Sequence, residues 1–126
     1  MCIRDSFSII ALKHHTSKIQ DFSDLTSVET FGFRGEALSS LCALSTLSVI
    51  TRHRLAQSGS EIIYDQDGKI TDESDAARSI GTTVSLAEIF TALPVRRREL
   101  MRNLKKEFAK MLQVLNAYCL ISRNVR

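Results

Sequence analysis

Apolar residues along this 126-residue chain change their spacing several times. Between Ala37 and Leu44 they recur at the three-and-four step of one helical face, through Ala37, Leu38, Leu41, Cys42 and Leu44, with Ser39, Ser40 and Ala43 elsewhere. From Thr46 to Arg52 the residues are β-branched and partly alternating, Leu47 and Val49 sharing a face, which predicts a strand. Glu61 to Tyr64 and Lys69 to Thr71 flank Asp65, Gln66, Asp67 and Gly68; an Asp-Gly pair between short apolar runs predicts a hairpin. Asp72 to Arg78 is polar and small and reads as a loop, and Gly81 to Leu86 alternates again with Val84 and Leu86 on one face. Pro94 disfavours helix before it and permits one after it, so a helix is predicted over Val95 to Arg102. A second, Leu104 to Ser122, carries Leu104, Phe108, Met111, Leu112, Leu115, Cys119 and Ser122 on one stripe, with Tyr118 at its margin, and reads as packed on the sheet. A helix followed by an antiparallel meander suits an α+β sandwich with helices on one face of a largely antiparallel sheet.

The stretch Thr30 to Leu38 organises the rest. Gly32 and Gly35 bracket Phe33 and Arg34, and the helical pattern starts immediately after the second glycine. Glycines let backbone approach a ligand closely, a helix start offers unpaired N–H groups and a positive dipole end, and Arg34 adds a cation. The geometry on offer is a phosphate cradle; an ordinary turn and helix cap is the alternative reading of the same residues.

Residues 11–30 read as a mobile, polar connection. Lys13 to Lys18 carries no apolar residue, and only Phe22, Leu25 and Val28 show brief helical spacing, so Asp24 to Glu29 is the candidate short helix. Thr16, Ser17 and Lys18 on their own read as a solvated turn or cap. His14 and His15 read as surface residues, because no carboxylate or nucleophile sits at a spacing that would orient them.

Composition narrows the class. At 44% hydrophobic the chain has material for one core, and no stretch approaches the roughly 20 apolar residues of a membrane helix. Cys2, Cys42 and Cys119 are far apart without metal-type spacing, which predicts reduced, buried thiols, no disulfide and no metal site. From Arg96 onward there are nine Lys or Arg against two acidic residues, while the remainder is acidic on balance. That basic C-terminal third suits DNA phosphates or a solvated helix face equally, and no aromatic stacking platform accompanies it.

The string Gly32-Phe33-Arg34-Gly35-Glu36-Ala37-Leu38, preceded by Thr16-Ser17-Lys18 and followed by Gly81-Thr82-Thr83, resembles nucleotide-binding motifs of the MutL mismatch-repair family. MutL proteins share the GHKL, or Bergerat, ATPase class with gyrase B, Hsp90 and histidine kinases. Lys13 to Ile19 looks most like the eukaryotic post-meiotic-segregation branch. The resemblance runs from about Ala11 to Arg126, so residues 11–126 are expected to be a partial ATPase domain. Residues 1–10 are expected to be an unrelated leader or artefact, Met1 to Ser6 matching nothing in the pattern.

This resemblance implies that Thr16, Ser17 and Lys18 belong to an ATP lid that contacts phosphates, and that Gly32, Phe33, Arg34, Gly35, Glu36, Ala37 and Leu38 form the phosphate turn and helix start. Thr82 would hydrogen-bond a network beneath the adenine, with Thr83 on the other face of the strand. ATP and Mg2+ are the implied cofactors. The general-base glutamate, the magnesium-holding asparagine and the adenine-reading aspartate are expected in motifs before the lid, so no catalytic or metal residue is assigned in this chain. Implied partners are a MutL-homologue heterodimer partner, mismatch-recognition MutS-type proteins and double-stranded DNA without sequence preference; the implied compartment is the nucleus. Two alternatives stand beside a nucleotide-controlled dimerising ATPase: a DNA-binding module using the basic helices, and an inert truncation. With part of the sandwich absent, 126 residues are not expected to form a stable domain alone.

Overall fold

A computed structural model describes residues 7–28, 30 and 32–122. The proposed foreign stretch Met1 to Ser6, Glu29 at the end of the candidate helix, and Phe31 in the glycine stretch lie outside the described residues. The elements are α1 (Ala37–Cys42), β1 (Thr46–Arg52), β2 (Gly59–Tyr64), β3 (Ile70–Ala76), β4 (Gly81–Ala87), α2 (Pro94–Arg102) and α3 (Leu104–Ile121), preceded by a 3₁₀ turn at Phe22–Thr26. Two compact units meet in sequence between Ala92 and Leu93.

The first unit is built on a four-stranded antiparallel sheet in the order β3-β2-β1-β4. Period-two alternation in β1 buries Leu47, Val49 and Thr51 on one face. Register sets Leu47 opposite Tyr64 and Leu86, and Val49 opposite Ile62 and Val84. Phe7, Ala11, Cys42, Leu47, Val49, Ile62 and Tyr64 form the core, with Leu38 and Ile70 packed against it. Residues 7–10, read from sequence as leader, thus supply one core side chain, and the Tyr64 hydroxyl donates to the Phe7 carbonyl at 2.9 Å.

Three expectations are corrected by the pairing. Asp72 to Ala76, read as loop, are part of β3: an edge strand bonds its backbone to one neighbour only and leaves its side chains in water, so it needs no apolar alternation. The strands do not form a simple meander, because β4 crosses to the far side of β1. Ser39, placed off the helix's apolar face, is buried and donates to the Glu36 carbonyl at 2.9 Å, while Ala37 is exposed. That pairing lets a small polar side chain sit inside a six-residue helix without leaving its hydroxyl unsatisfied.

The Asp-Gly hairpin is present with a chemical reason. Asp65 Oδ1 accepts the N–H groups of Asp67 at 2.9 Å and Lys69 at 2.8 Å, and Gly68 takes a left-handed φ of +80°. A Cβ on Gly68 would stand 2.2 Å from the Ala11 carbonyl oxygen, so this turn lies directly against the N-terminal segment. The 3₁₀ turn, two residues ahead of the expected helix, is capped by Asp21 and Asp24. Bonds from the Gln20 and Asp21 N–H groups hold the Asp24 carboxyl below its ordinary value.

In the second unit, Pro94 opens α2, with Leu93 before it in a non-helical conformation. Asn103 separates α2 from α3, its N–H bonding back to Glu99 and Leu100. Read as a packed helix, α3 carries no buried residue; Phe108 is 55% and Leu115 51% exposed. Cys119, expected buried, is exposed, whereas Cys42 is buried. No helix among the described residues is long and apolar enough to cross a membrane.

Tyr64 gives the fold a measurable alkaline limit. Burial, then the nearby Cys42 and Glu73, push its phenol from the ordinary 10.0 up to about 12. The folded state therefore favours the neutral phenol. Its contribution is whole below pH 10 and is lost as pH rises from there through about 12, where the unfolded chain releases the proton first. Denaturant melts at stepped pH should show that loss in the native chain and not in Tyr64→Phe. An identical alkaline decline in both would discard Tyr64 as its source. At neutral pH the variant should be about 1 kcal/mol less stable for the missing bond to Phe7.

Candidate functional site

Gly35 takes a left-handed φ of +67° between β-carbon-bearing neighbours, a conformation that glycine adopts at little cost. A Cβ there would lie 2.2 Å from the His15 carbonyl oxygen and 3.0 Å from the His15 nitrogen. The glycine is therefore a seat on which the backbone of the preceding polar segment rests. Gly32 is different: a Cβ at that position meets nothing within 4 Å. Its carbonyl accepts from the Thr30 hydroxyl at 3.0 Å. Of the residues read as a phosphate turn, Gly35 alone is required by close approach.

The segment on that seat is tied at several points. His14, itself at a left-handed φ of 64°, donates its N–H to the Gly35 carbonyl at 3.1 Å. Its Nδ1 lies 3.3 Å from Glu36 Oε1, and Arg34 Nε lies 3.9 Å from the other oxygen of the same carboxylate. The His15 ring meets the Lys13 carbonyl at 2.9 Å, and Thr16 Oγ1 accepts the Lys18 N–H at 3.1 Å. Thr16 is half-buried while Ser17 and Lys18 are exposed. The structure thus seats His14 and His15 on the Arg34-Gly35-Glu36 turn, and the Thr16-Ser17-Lys18 bend follows directly in the chain. The hydroxyls and ammonium of that bend suit a polyanion. Leu38 turns into the core, so only its backbone is available to a ligand; Phe33 is half-buried.

No carboxylate stands near His14 along the sequence to orient it. Glu36 supplies one in the fold, and a separation of 22 positions hid it. Only the fold of the turn could reveal it.

Thr82 forms a separate group within the sheet. It pairs with Thr51 in the β1–β4 register, and the hydroxyls lie 2.7 Å apart. Thr51 is buried and also reaches the Gly81 carbonyl at 3.3 Å, so Thr82 donates to Thr51 when Thr51 donates to Gly81. Thr51 was missed in sequence; the signal was a hydroxyl at the inward position of the Leu47, Val49, Thr51 alternation. Thr83 faces the other way and accepts from Arg78 Nη1 at 3.2 Å. Arg78 also bonds the Ile50 and Ser79 carbonyls. Together with Arg52, Gln57, Ser58, Gly59 and Asp75 it lines a shallow cleft of about 340 Å³. Both arginines spend donors on backbone carbonyls there, stitching β1 to the loop before β4.

Burial, then the Asp65 carboxylate, push the Cys42 thiol up, which disfavours a thiolate nucleophile. Among the described residues no group of three or more His, Cys, Asp or Glu side chains is placed to hold a metal ion. Lys18 and Arg34 are exposed cations, and the Glu36 side chain makes no cap bond to the first-turn N–H groups of α1.

This sheet with its helices is the fold of a GHKL ATPase domain. It matches the N-terminal domain of a DNA repair protein with TM-score 0.72 and 40% identity, over 90% of this chain and 31% of that one. It also matches the Aquifex aeolicus MutL ATPase domain complexed with ADP, with TM-score 0.61 and 28% identity over 80% and 39%. The chain belongs to the MutL family of DNA mismatch-repair proteins, on its PMS2/PMS1 branch. It is 59% identical to the mouse mismatch repair endonuclease PMS2 over 122 residues, 97% of this chain and 14% of that protein. Identity is 50% over 121 residues to DNA mismatch repair protein PMS1 of Arabidopsis thaliana, covering 96% and 13%. To the Saccharomyces cerevisiae protein PMS1 it is 42% over 121 residues, covering 96% and 14%. The chain therefore spans about one seventh of the length of these curated relatives. No protein-family model matches it.

Proposed function

We propose that this chain is the lid-and-sheet part of an ATP-binding module that serves DNA mismatch repair. Thr16, Ser17 and Lys18 meet the nucleotide phosphates from the lid. Gly32, Phe33, Arg34, Gly35, Glu36, Ala37 and Leu38 form the turn beneath, the glycines giving access and Arg34 charge. Thr82, backed by Thr51, stands on the adenine side. ATP bound with Mg2+ supplies the hydrolysable phosphoanhydride, and the residues here bind and orient rather than activate water. The general base and the magnesium ligand would come from motifs ahead of the lid.

In the parent protein, nucleotide that orders the lid shifts the population toward dimerised N-terminal modules. Its partner is another MutL homologue, its upstream signal comes from MutS-type proteins, and its work is on double-stranded DNA in the nucleus. The basic helices are suited to phosphate contacts on DNA without sequence preference.

The observation that carries this reading is the close seat of the lid backbone on Gly35. ATP titrated into the isotopically labelled chain should give saturable amide shifts concentrated at residues 16–18 and 32–38, weakened at least fivefold by Lys18→Ala. Scattered, non-saturating shifts, or shifts untouched by that substitution, would remove the phosphate site.

A further inference from the structure

We propose that Glu36 is a positioning residue which latches the lid to the glycine turn by gripping His14, with the Arg34 guanidinium near the other oxygen of the same carboxylate. What the latch serves rests on the lid reading above; whether it exists is a separate matter, read without nucleotide.

The side chains that cap a helix from the position before it are the short ones of Ser, Thr, Asp and Asn, and a glutamate there is longer and free to reach elsewhere. Glu36 holds that position in front of α1 and makes no cap bond. Its oxygens go instead to His14 Nδ1 at 3.3 Å and Arg34 Nε at 3.9 Å. Two consequences follow. The negative charge at the turn is matched by the Arg34 guanidinium rather than left facing an incoming phosphate. His14 is also attached twice, by its ring to Glu36 and by its N–H to the Gly35 carbonyl at 3.1 Å.

The double attachment accounts for a feature that is otherwise costly. His14 is a non-glycine residue with a left-handed backbone, φ 64°, in an exposed segment, and such a residue persists there only when its surroundings hold it. Beyond it, the His15 ring on the Lys13 carbonyl and Thr16 on the Lys18 N–H set the bend that carries the lid's hydroxyls and ammonium. With the latch closed, the His15 backbone lies on Gly35 and the bend follows from it; released, Thr16 to Lys18 lose that anchor. The pair is largely in solvent, the His14 side chain 76% and the Glu36 side chain 39% exposed, so the latch is weak enough to open and close rather than a permanent clasp.

The test is amide hydrogen exchange at His14 in the chain, with the β1 and β2 amides as internal reference and trypsin cleavage after Lys13 and Lys18 as a second readout. Glu36→Gln removes the charge and keeps the shape. His14→Asn keeps a residue that tolerates the left-handed backbone and removes the ring's reach. Each should speed His14 exchange and lid cleavage about two- to fivefold, the range expected of an exposed charged pair, with sheet amides unchanged. Raising sodium chloride should move the native chain toward the Glu36→Gln rate and leave that variant unaffected, a response that loss of packing would not give. Unchanged exchange in Glu36→Gln, sheet amides that speed up in parallel, or a native His14 amide exchanging at the free-peptide rate would each overturn the latch. If the latch effects hold while ATP moves no lid amide, the nucleotide reading falls and the latch stands.

Discussion

Gly35→Ala is expected to lift the lid off the glycine turn and to lower nucleotide affinity by a factor of ten or more. Two costs combine. An alanine at φ +67° bears a left-handed penalty of about 1–2 kcal/mol that glycine avoids. Its Cβ would also meet the His15 carbonyl oxygen at 2.2 Å, so the lid must retreat by about 1 Å or more to regain van der Waals distance. Retreat breaks the His14 to Gly35 hydrogen bond, because the donor moves with the lid while the acceptor stays in the turn. Gly32→Ala is the comparison for the seat: its Cβ meets no protein atom, so its effect on stability and on the His14 amide should stay within about 0.5 kcal/mol. The measurement is ATP affinity for the two variants, alongside the His14 amide. Equal losses from both substitutions would mean that general flexibility of the stretch, and not the seat under His15, is what matters.

Leu47→Ala is expected to be the most destabilising single truncation, at about 2–5 kcal/mol. Leu47 is fully buried at the centre of the sheet, between Tyr64 on β2 and Leu86 on β4. Backbone pairing on both sides of β1 keeps the neighbours from collapsing into the space left behind. Against a typical domain stability of about 5–15 kcal/mol, that is enough to unfold a marginal chain. Leu120→Ala, at a side chain 88% exposed, should change stability by less than about 0.5 kcal/mol. Urea unfolding followed by circular dichroism separates them; coincident midpoints would place the stabilising core elsewhere than around β1.

Several elements were legible without coordinates because their causes are local. β1 showed itself by alternation, since a strand with one buried face must place apolar groups at every second residue. Pro94 marked the start of α2 through its fixed φ and missing N–H. Asp65 and Gly68 announced the hairpin because the carboxylate and the left-handed glycine build that turn from within. The glycine stretch was likewise readable, although only Gly35 of its two glycines is pressed by a neighbour.

Other features left no local trace. β3 looks like a loop in sequence because a solvent-facing edge strand needs only backbone partners, and those come from β2. That β4 lies beside β1 and not β3 is a property of pairing between segments some 30 positions apart. The Thr51–Thr82 hydroxyl pair and the His14–Glu36 pair arise in the same way. By itself, then, the sequence determined the family, the turns, the helix starts and the alternation of the central strand, all set by forces acting within a few residues. Tertiary structure alone decided strand order, the burial of Ser39 and the seating of the lid on Gly35. Those depend on which distant groups meet once loops have closed, and a one-dimensional pattern does not encode that meeting locally.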